Sequence, residues 1–152
     1  MLLIAAGIFG LSYTWHIDHR SADSLSEYCD VTLKTSFYDS GKLEGAVLTL
    51  WDYRFDDAKL MGQAVLYTDG KAWEMRAAVK QTLPTYDFDR ADSTRRVFQH
   101  GNKLFVQLPR FSLPAIREAK EVRFRFYYDN GQVIDLPLSR SDLSYWQQEL
   151  LD

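Results

Sequence analysis

The dipeptide Asp69-Gly70, set between two runs of strand-forming residues in KLMGQAVLYTDGKAWEMRAAVK, constrains this chain more than any other feature. Asp-Gly supplies the positive φ angles of a type I′ turn, and a two-residue loop of that type joins two antiparallel strands in one register. With Thr68 opposite Lys71, the register sets Leu66 against Trp73, Ala64 against Met75, Gly62 against Ala77 and Leu60 against Val79. These residues are all apolar or small, whereas the other face carries Gln63, Glu74, Arg76 and Lys80 among its apolar members. One face is therefore expected to be core and the other mixed. The small pair Gly62 and Ala77 predicts close approach of another layer; if a helix covers this face, the C-terminal one carrying Trp146 is the candidate, and a face left open beside Trp73 would favour a bound ligand instead.

The flanking sequence reads as more strands. Val31 to Tyr38 alternates, with Val31, Leu33, Thr35 and Phe37 on one face and Thr32, Lys34, Ser36 and Tyr38 on the other. Asp39-Ser40-Gly41-Lys42 turns the chain into Leu43–Phe55, where both faces are largely apolar, the pattern of a central or sandwiched strand. Together with the hairpin these predict four consecutive antiparallel strands, a meander. Pro84 then argues for a loop through Tyr86 and the acidic DFDRAD stretch. Gly101-Asn102 reads as a second tight turn, pairing Phe98 with Phe105. Ser112 and Pro114 start a short helix over 113–120, with Ile116 and Ala119 inward. Val122, Phe124 and Phe126 alternate with Arg123 and Arg125. In the turn that follows, a three-residue loop ending in a left-handed Gly131 sets Phe126 against Ile134 and Phe124 against Leu136, the register that keeps apolar residues together. Ser139 to Asp142 offers helix N-caps, and Leu143, Trp146 and Leu150 form one face of an amphipathic helix over 140–151.

The expected fold is thus mainly β, α+β in class: an antiparallel meander of about seven or eight strands, closed as a sandwich or partly open barrel, with two helices at its C-terminal side and an apolar helix at its N-terminus. A chain of 152 residues, 46% hydrophobic and 14% aromatic, supports one such domain with a real core. A net charge of −3 argues against a nucleic-acid binder. Arg123 and Arg125 between aromatics do not change that, since sheets that stack bases expose their aromatics. Cys29 is the single cysteine, which excludes an intrachain disulfide.

Met1 to Trp15 is uncharged and apolar apart from Ser12, Tyr13 and Thr14. A buried core helix, a cleaved signal and a membrane anchor compete for it. The charged n-region and a convincing cleavage site are both missing, which disfavours a cleaved signal. As a helix it reaches about 23 Å, short of the roughly 30 Å hydrocarbon core. Tyr13 and Trp15, followed by the polar His16 to Arg20, nevertheless read as an aromatic boundary and a water-facing exit. The segment is taken as a membrane anchor or uncleaved signal over 1–15, followed by a polar stalk over 16–28 and a single β-rich domain over 29–152. With no Lys or Arg before Arg20, charge does not orient it.

Chemistry is sparse. The sequence has no G-x-S-x-G, Walker, Rossmann-glycine, H-E-x-x-H or C-x-x-C motif. His16, Asp18 and His19 read as solvated juxtamembrane residues, and Asp87, Asp89 and Asp92 as an acidic loop lacking the glycine and closing Glu of a calcium loop. No metal, cofactor or catalytic residue is assigned. An enzyme would minimally require His100 near carboxylates. Trp51, Trp73, Arg123 and Arg125 are the candidates for a ligand or partner surface.

The apolar N-terminus, the polar stalk, the cysteine opening the first strand in Tyr28-Cys29-Asp30-Val31, and the hairpin from Gly62 to Met75 together resemble the FidL-like small inner-membrane-anchored proteins of enteric bacteria over Met1 to Val79. The likeness lies in layout. It implies an extracytoplasmic domain without known catalysis, accessory or regulatory to a protein partner, and it carries over no functional residues. The expected function is therefore a non-catalytic, membrane-anchored periplasmic interaction domain that binds a protein partner and no nucleic acid. The alternative is a β domain holding a small apolar ligand between Trp51, Trp73, Phe98, Phe105 and Phe124; an enzyme is the lesser one.

Overall fold

The structure, a computed structural model, describes residues 8–16, 25–54, 56–88 and 96–151. Ten strands and two helices follow one another among them: β1 (Ile8–His16), β2 (Leu25–Phe37), β3 (Leu43–Arg54), β4 (Leu60–Thr68), β5 (Lys71–Arg76), β6 (Ala78–Gln81), β7 (Thr85–Phe88), β8 (Arg96–Gln107), α1 (Ser112–Glu118), β9 (Val122–Tyr128), β10 (Val133–Pro137) and α2 (Arg140–Glu149). They form two antiparallel sheets. Sheet A has the order β1-β2-β3-β8-β6, with β7 also paired to β8, and sheet B has the order β10-β9-β4-β5. One hydrophobic core lies between them, built from the inward residues of both sheets and of both helices.

The local turns form as their residues dictate. Asp69 and Gly70 have φ of 47° and 85°, and the hairpin they close sets Leu66 opposite Trp73 and Ala64 opposite Met75. Gly131 has φ 87°, and Phe126 pairs with Ile134 and Phe124 with Leu136. In α2 the Ser139 hydroxyl accepts from the Asp142 backbone N–H, and Leu143, Trp146 and Leu150 are buried. Ile116 and Ala119 are buried beside them at the end of α1.

Long-range pairing departs from the expectation in four places. The first is the meander: β3 does not continue into β4 but pairs with β2 and β8 in sheet A, while the chain crosses to sheet B between Arg54 and Leu60. The second is the far end of the hairpin. Ala77 still donates to the Gly62 carbonyl at 3.0 Å, but beyond it Val79 pairs with Leu104 and Leu60 with Tyr128. The chain thus turns a corner at Ala77, leaving sheet B as β5 and entering sheet A as β6, opposite an irregularity in β4 between Leu60 and Ala64. A Cβ on Gly62 would lie 3.1 Å from the Ala77 carbonyl, so the close approach comes from the hairpin's own partner strand.

The third departure is at Gly101-Asn102, which makes no turn. β8 runs straight through, with Gly101 opposite Tyr53 and Asn102 opposite Asp52. The Gly101 backbone is satisfied on its other edge by Thr82, whose hydroxyl accepts the Gly101 N–H at 3.0 Å and whose N–H donates to the Gly101 carbonyl at 2.8 Å. A side chain here would meet Thr82 Oγ1 at 2.9 Å and the Trp51 ring at 3.3 Å, so the glycine serves close packing. The fourth is that residues just past Pro84 pair: β7 lies on β8, placing Asp87 opposite Val97, where the sequence suggested loop.

Ile8–His16 is a strand in register with β2, Ile8 opposite Ser36 and Trp15 opposite Cys29. The apolar helix expected over 1–15 falls otherwise on residues 1–7, outside the described ones, and the end of the expected stalk, Leu25 to Tyr28, belongs to β2. No helix among the described residues is long and apolar enough to cross a membrane.

Candidate functional site

Along β3 every second residue enters the core: Ala46, Leu48, Leu50, and then Asp52 and Arg54, each at most 1% exposed. The alternation of the strand carries two opposite charges into the interior because they stay in phase with the leucines. Tyr128, at the end of β9 in the other sheet, donates from its hydroxyl to Asp52 Oδ2 at 2.6 Å, tying the two sheets together. Arg54 stacks its guanidinium 4.2 Å from the centre of the Tyr128 ring. It also grips Asp56 with two hydrogen bonds, Nε to Oδ1 at 2.6 Å and Nη2 to Oδ2 at 2.7 Å, and donates to Gln132 Oε1 from the β9–β10 turn. The fork-to-fork pair is the strong geometry for guanidinium and carboxylate.

Burial raises the Asp52 carboxyl from the usual 3.8 to about 6, against the lowering effects of the Tyr128 hydroxyl and the Arg54 charge. Its Oδ1 has no hydrogen-bond partner among the described residues, nor has Nδ2 of Asn102, the residue opposite it on β8. Gln81 continues the same row on β6 and donates to Asn102 Oδ1 at 3.4 Å. Beyond them lies a surface cleft of about 300 Å³ lined by Lys59, Leu60, Val79, Lys80, Gln81 and Asn102. His100 stands opposite Arg54, with its Nδ1 buried and unpartnered among the described residues. An acid, a phenol and a guanidinium thus meet, but they are fully buried, so the arrangement acts as a tie between sheets and offers a solvent-borne substrate no direct approach.

The surface residues singled out in the sequence fall in three separate places. Trp51 lies on the outer face of sheet A, 5.8 Å from the Tyr53 ring, with Lys103 Nζ 4.9 Å from its ring centre and 4.8 Å from that of Phe105. Val47 and Phe105 on this face are 38% and 39% exposed, so it is an open surface of mixed aromatic and basic character. Trp73 is half-buried against the core at the edge of sheet B, its indole N–H donated to Thr68 Oγ1 at 2.9 Å and Lys71 over its ring. Arg123 and Arg125 lie on the outer face of sheet B. Both donate to Asp135, each with a bond of 2.9 Å, and Arg123 stacks 4.2 Å from the Tyr67 ring centre. Hydrogen bonds from Arg125 and then Arg123 hold the Asp135 carboxyl below its ordinary value.

The aromatics expected to line a shared ligand pocket do not converge. Phe124 is fully buried, stacked on Phe126 at 6.3 Å and tilted against Trp146 at 5.6 Å, while Trp51 and Phe105 face outward and Trp73 lies at an edge. The side chain of Phe98 lies outside the described ones. Asp52, Arg54, Asn102 and Tyr128 were not picked out from the sequence, although one signal was present: in LTLWDYR the two charges continue the Leu48, Leu50 phase of an otherwise apolar face. Among the described residues no group of three His, Cys, Asp or Glu is placed to hold a metal ion.

No protein-family model matches the sequence, and neither the curated proteins nor the solved structures contain a significant match.

Proposed function

We propose that this chain is a non-catalytic interaction domain, held at a membrane by its apolar N-terminal segment and working on the extracytoplasmic side, in the periplasm of a bacterial inner membrane. The observation that carries this reading is where the aromatic side chains lie. The interior is filled by Phe124, Phe126, Trp146 and the leucines around them, while Trp51, Tyr53, Phe105 and Val47 lie on the outer face of sheet A. Aromatic residues with an adjacent cation are the enriched composition of protein-binding patches. The uncharged, apolar Met1–Gly7 ahead of β1 and the layout likeness to inner-membrane-anchored proteins support attachment and compartment.

Fractionation of the full chain tests the attachment, alongside deletions of Met1–Gly7, which spares β1, and of Met1–Trp15. Both deletions are expected to move the protein from membranes to the soluble fraction. A full chain found wholly soluble would overturn the reading. A topology reporter after Asp152 is expected to be active in the periplasm, and activity confined to the cytoplasm would reverse the assigned compartment.

A further inference from the structure

We infer that the helix-capped end of the sandwich is a docking surface for anionic phospholipid headgroups, holding the domain against the membrane to which its N-terminus leads. The inference rests on the membrane attachment proposed above. At this end a cleft of about 290 Å³ runs between the start of β3 and α1. Three cations line it, Lys42, Arg110 and Arg117, against one carboxylate, Glu44. Its floor is apolar, from Leu43 and Leu113. Asp39 in the adjacent β2–β3 turn and Glu118 in α1 are not among its lining residues, so cations outnumber carboxylates only within the cleft itself, in a chain whose net charge is −3.

One aromatic ring lines this cleft and a second is next in sequence to one of its cations. Phe111 follows Arg110 directly and is 81% exposed, and Tyr38, which lines the cleft, is 46% exposed. A phenylalanine that bare is costly in water and at home at the headgroup level of a bilayer, where aromatic rings beside cations are the usual anchors. The chain enters β1 here as well: Ile8 lies opposite Ser36, two residues from Tyr38, and the residues before it, Met1–Gly7, are uncharged. Ile8, where β1 begins, and the basic cleft thus lie at one end of the molecule. An acidic protein would also suit Lys42 and Arg110, but it gives no reason for Phe111 to be bare or for β1 to begin at this end.

The test is co-flotation of the full-length protein with vesicles of phosphatidylcholine alone and with phosphatidylglycerol added. Added anionic lipid is expected to strengthen binding. Each cation near an anionic surface is worth about fivefold in partition, so the double variant Lys42→Glu, Arg110→Glu should lose on the order of 25-fold or more on the anionic vesicles while changing little on phosphatidylcholine. Phe111→Ser should weaken binding to both. All three side chains are exposed, so circular dichroism is expected to be unchanged. Equal binding of wild type and double variant to the anionic vesicles would overturn the inference, as would equally strong, Arg110-dependent binding of soluble glycerophosphate or of polyglutamate. Failure of the attachment reading would show separately, as absence of binding to phosphatidylcholine and no effect of the N-terminal deletions on fractionation.

Discussion

At one end of the sandwich Trp146 lies against Phe124 beneath two helices joined by Gln147, whose side-chain amide donates to the carbonyls of Ile116 and Ala119. At the other end two opposite charges and a phenol fill the interior between the strand ends, and Tyr128 reaches across to Asp52. Beyond the Gln147 bonds the apolar end rests on shape and volume, and that contribution scales with the area removed from water. The polar end depends on hydrogen-bond geometry, with Asp52 Oδ1 left without a partner among the described residues, and it is sensitive to pH because burial holds Asp52 near 6. Similar strands thus close one core by two kinds of interaction, one tolerant of pH and one tuned by it.

The sharpest way to break the comparison is to empty the apolar end. Trp146→Ala removes the largest fully buried side chain among the described residues and should cost about 3–5 kcal/mol, read from the denaturant midpoint at constant slope. A loss under about 1 kcal/mol would mean that the helices collapse onto the sheets without it. At the polar end, Tyr128→Phe leaves Asp52 Oδ2 without its donor and should cost about 1–3 kcal/mol. It should also move the Asp52 transition to higher pH, since the hydroxyl is a lowering influence.

The pH response isolates the difference between the ends. A carboxyl raised from 3.8 to about 6 on folding favours the folded state fully below the lower value, and that advantage is lost as pH rises through the higher one. Between pH 4.5 and 7.5 this group alone should remove about 2 kcal/mol of stability. Asp52→Asn, which keeps an oxygen for Tyr128, should lack that loss, so the stability of the variant should gain on wild type by this amount over the interval. Parallel curves for the two proteins would refute the assignment; Trp146→Ala, by contrast, should run parallel to wild type. The smallest effect is expected from Gly101→Ala. Its methyl must displace Thr82 and the Trp51 ring, costing about 1 kcal/mol, and a neutral result would place the packing limit elsewhere in the row.

Much of the fold was legible residue by residue. Asp69-Gly70, the left-handed Gly131 and the Ser139 cap act within a few residues of themselves, so their effects were readable in place. The surface candidates were legible only as residue types: Trp51 and Arg123 are on the outer faces of different sheets, and no periodicity says which sheet a strand joins. Gly101-Asn102 misled for a related reason. The same dipeptide serves a tight turn or a closely packed strand, and Thr82 and Trp51, which decide between them, are distant in sequence.

What the sequence determined by itself is therefore local: turn types, strand phases, helix caps, and the in-phase charges at positions 52 and 54. The tertiary structure alone decided that β3 leaves β4 for β8, that one strand turns the corner between sheets at Ala77, and that Tyr128 meets a carboxylate 76 residues away. Side-chain alternation and turn geometry act over a few residues, whereas the choice of strand partner depends on burying both sheets' apolar faces at once, a property of the whole chain.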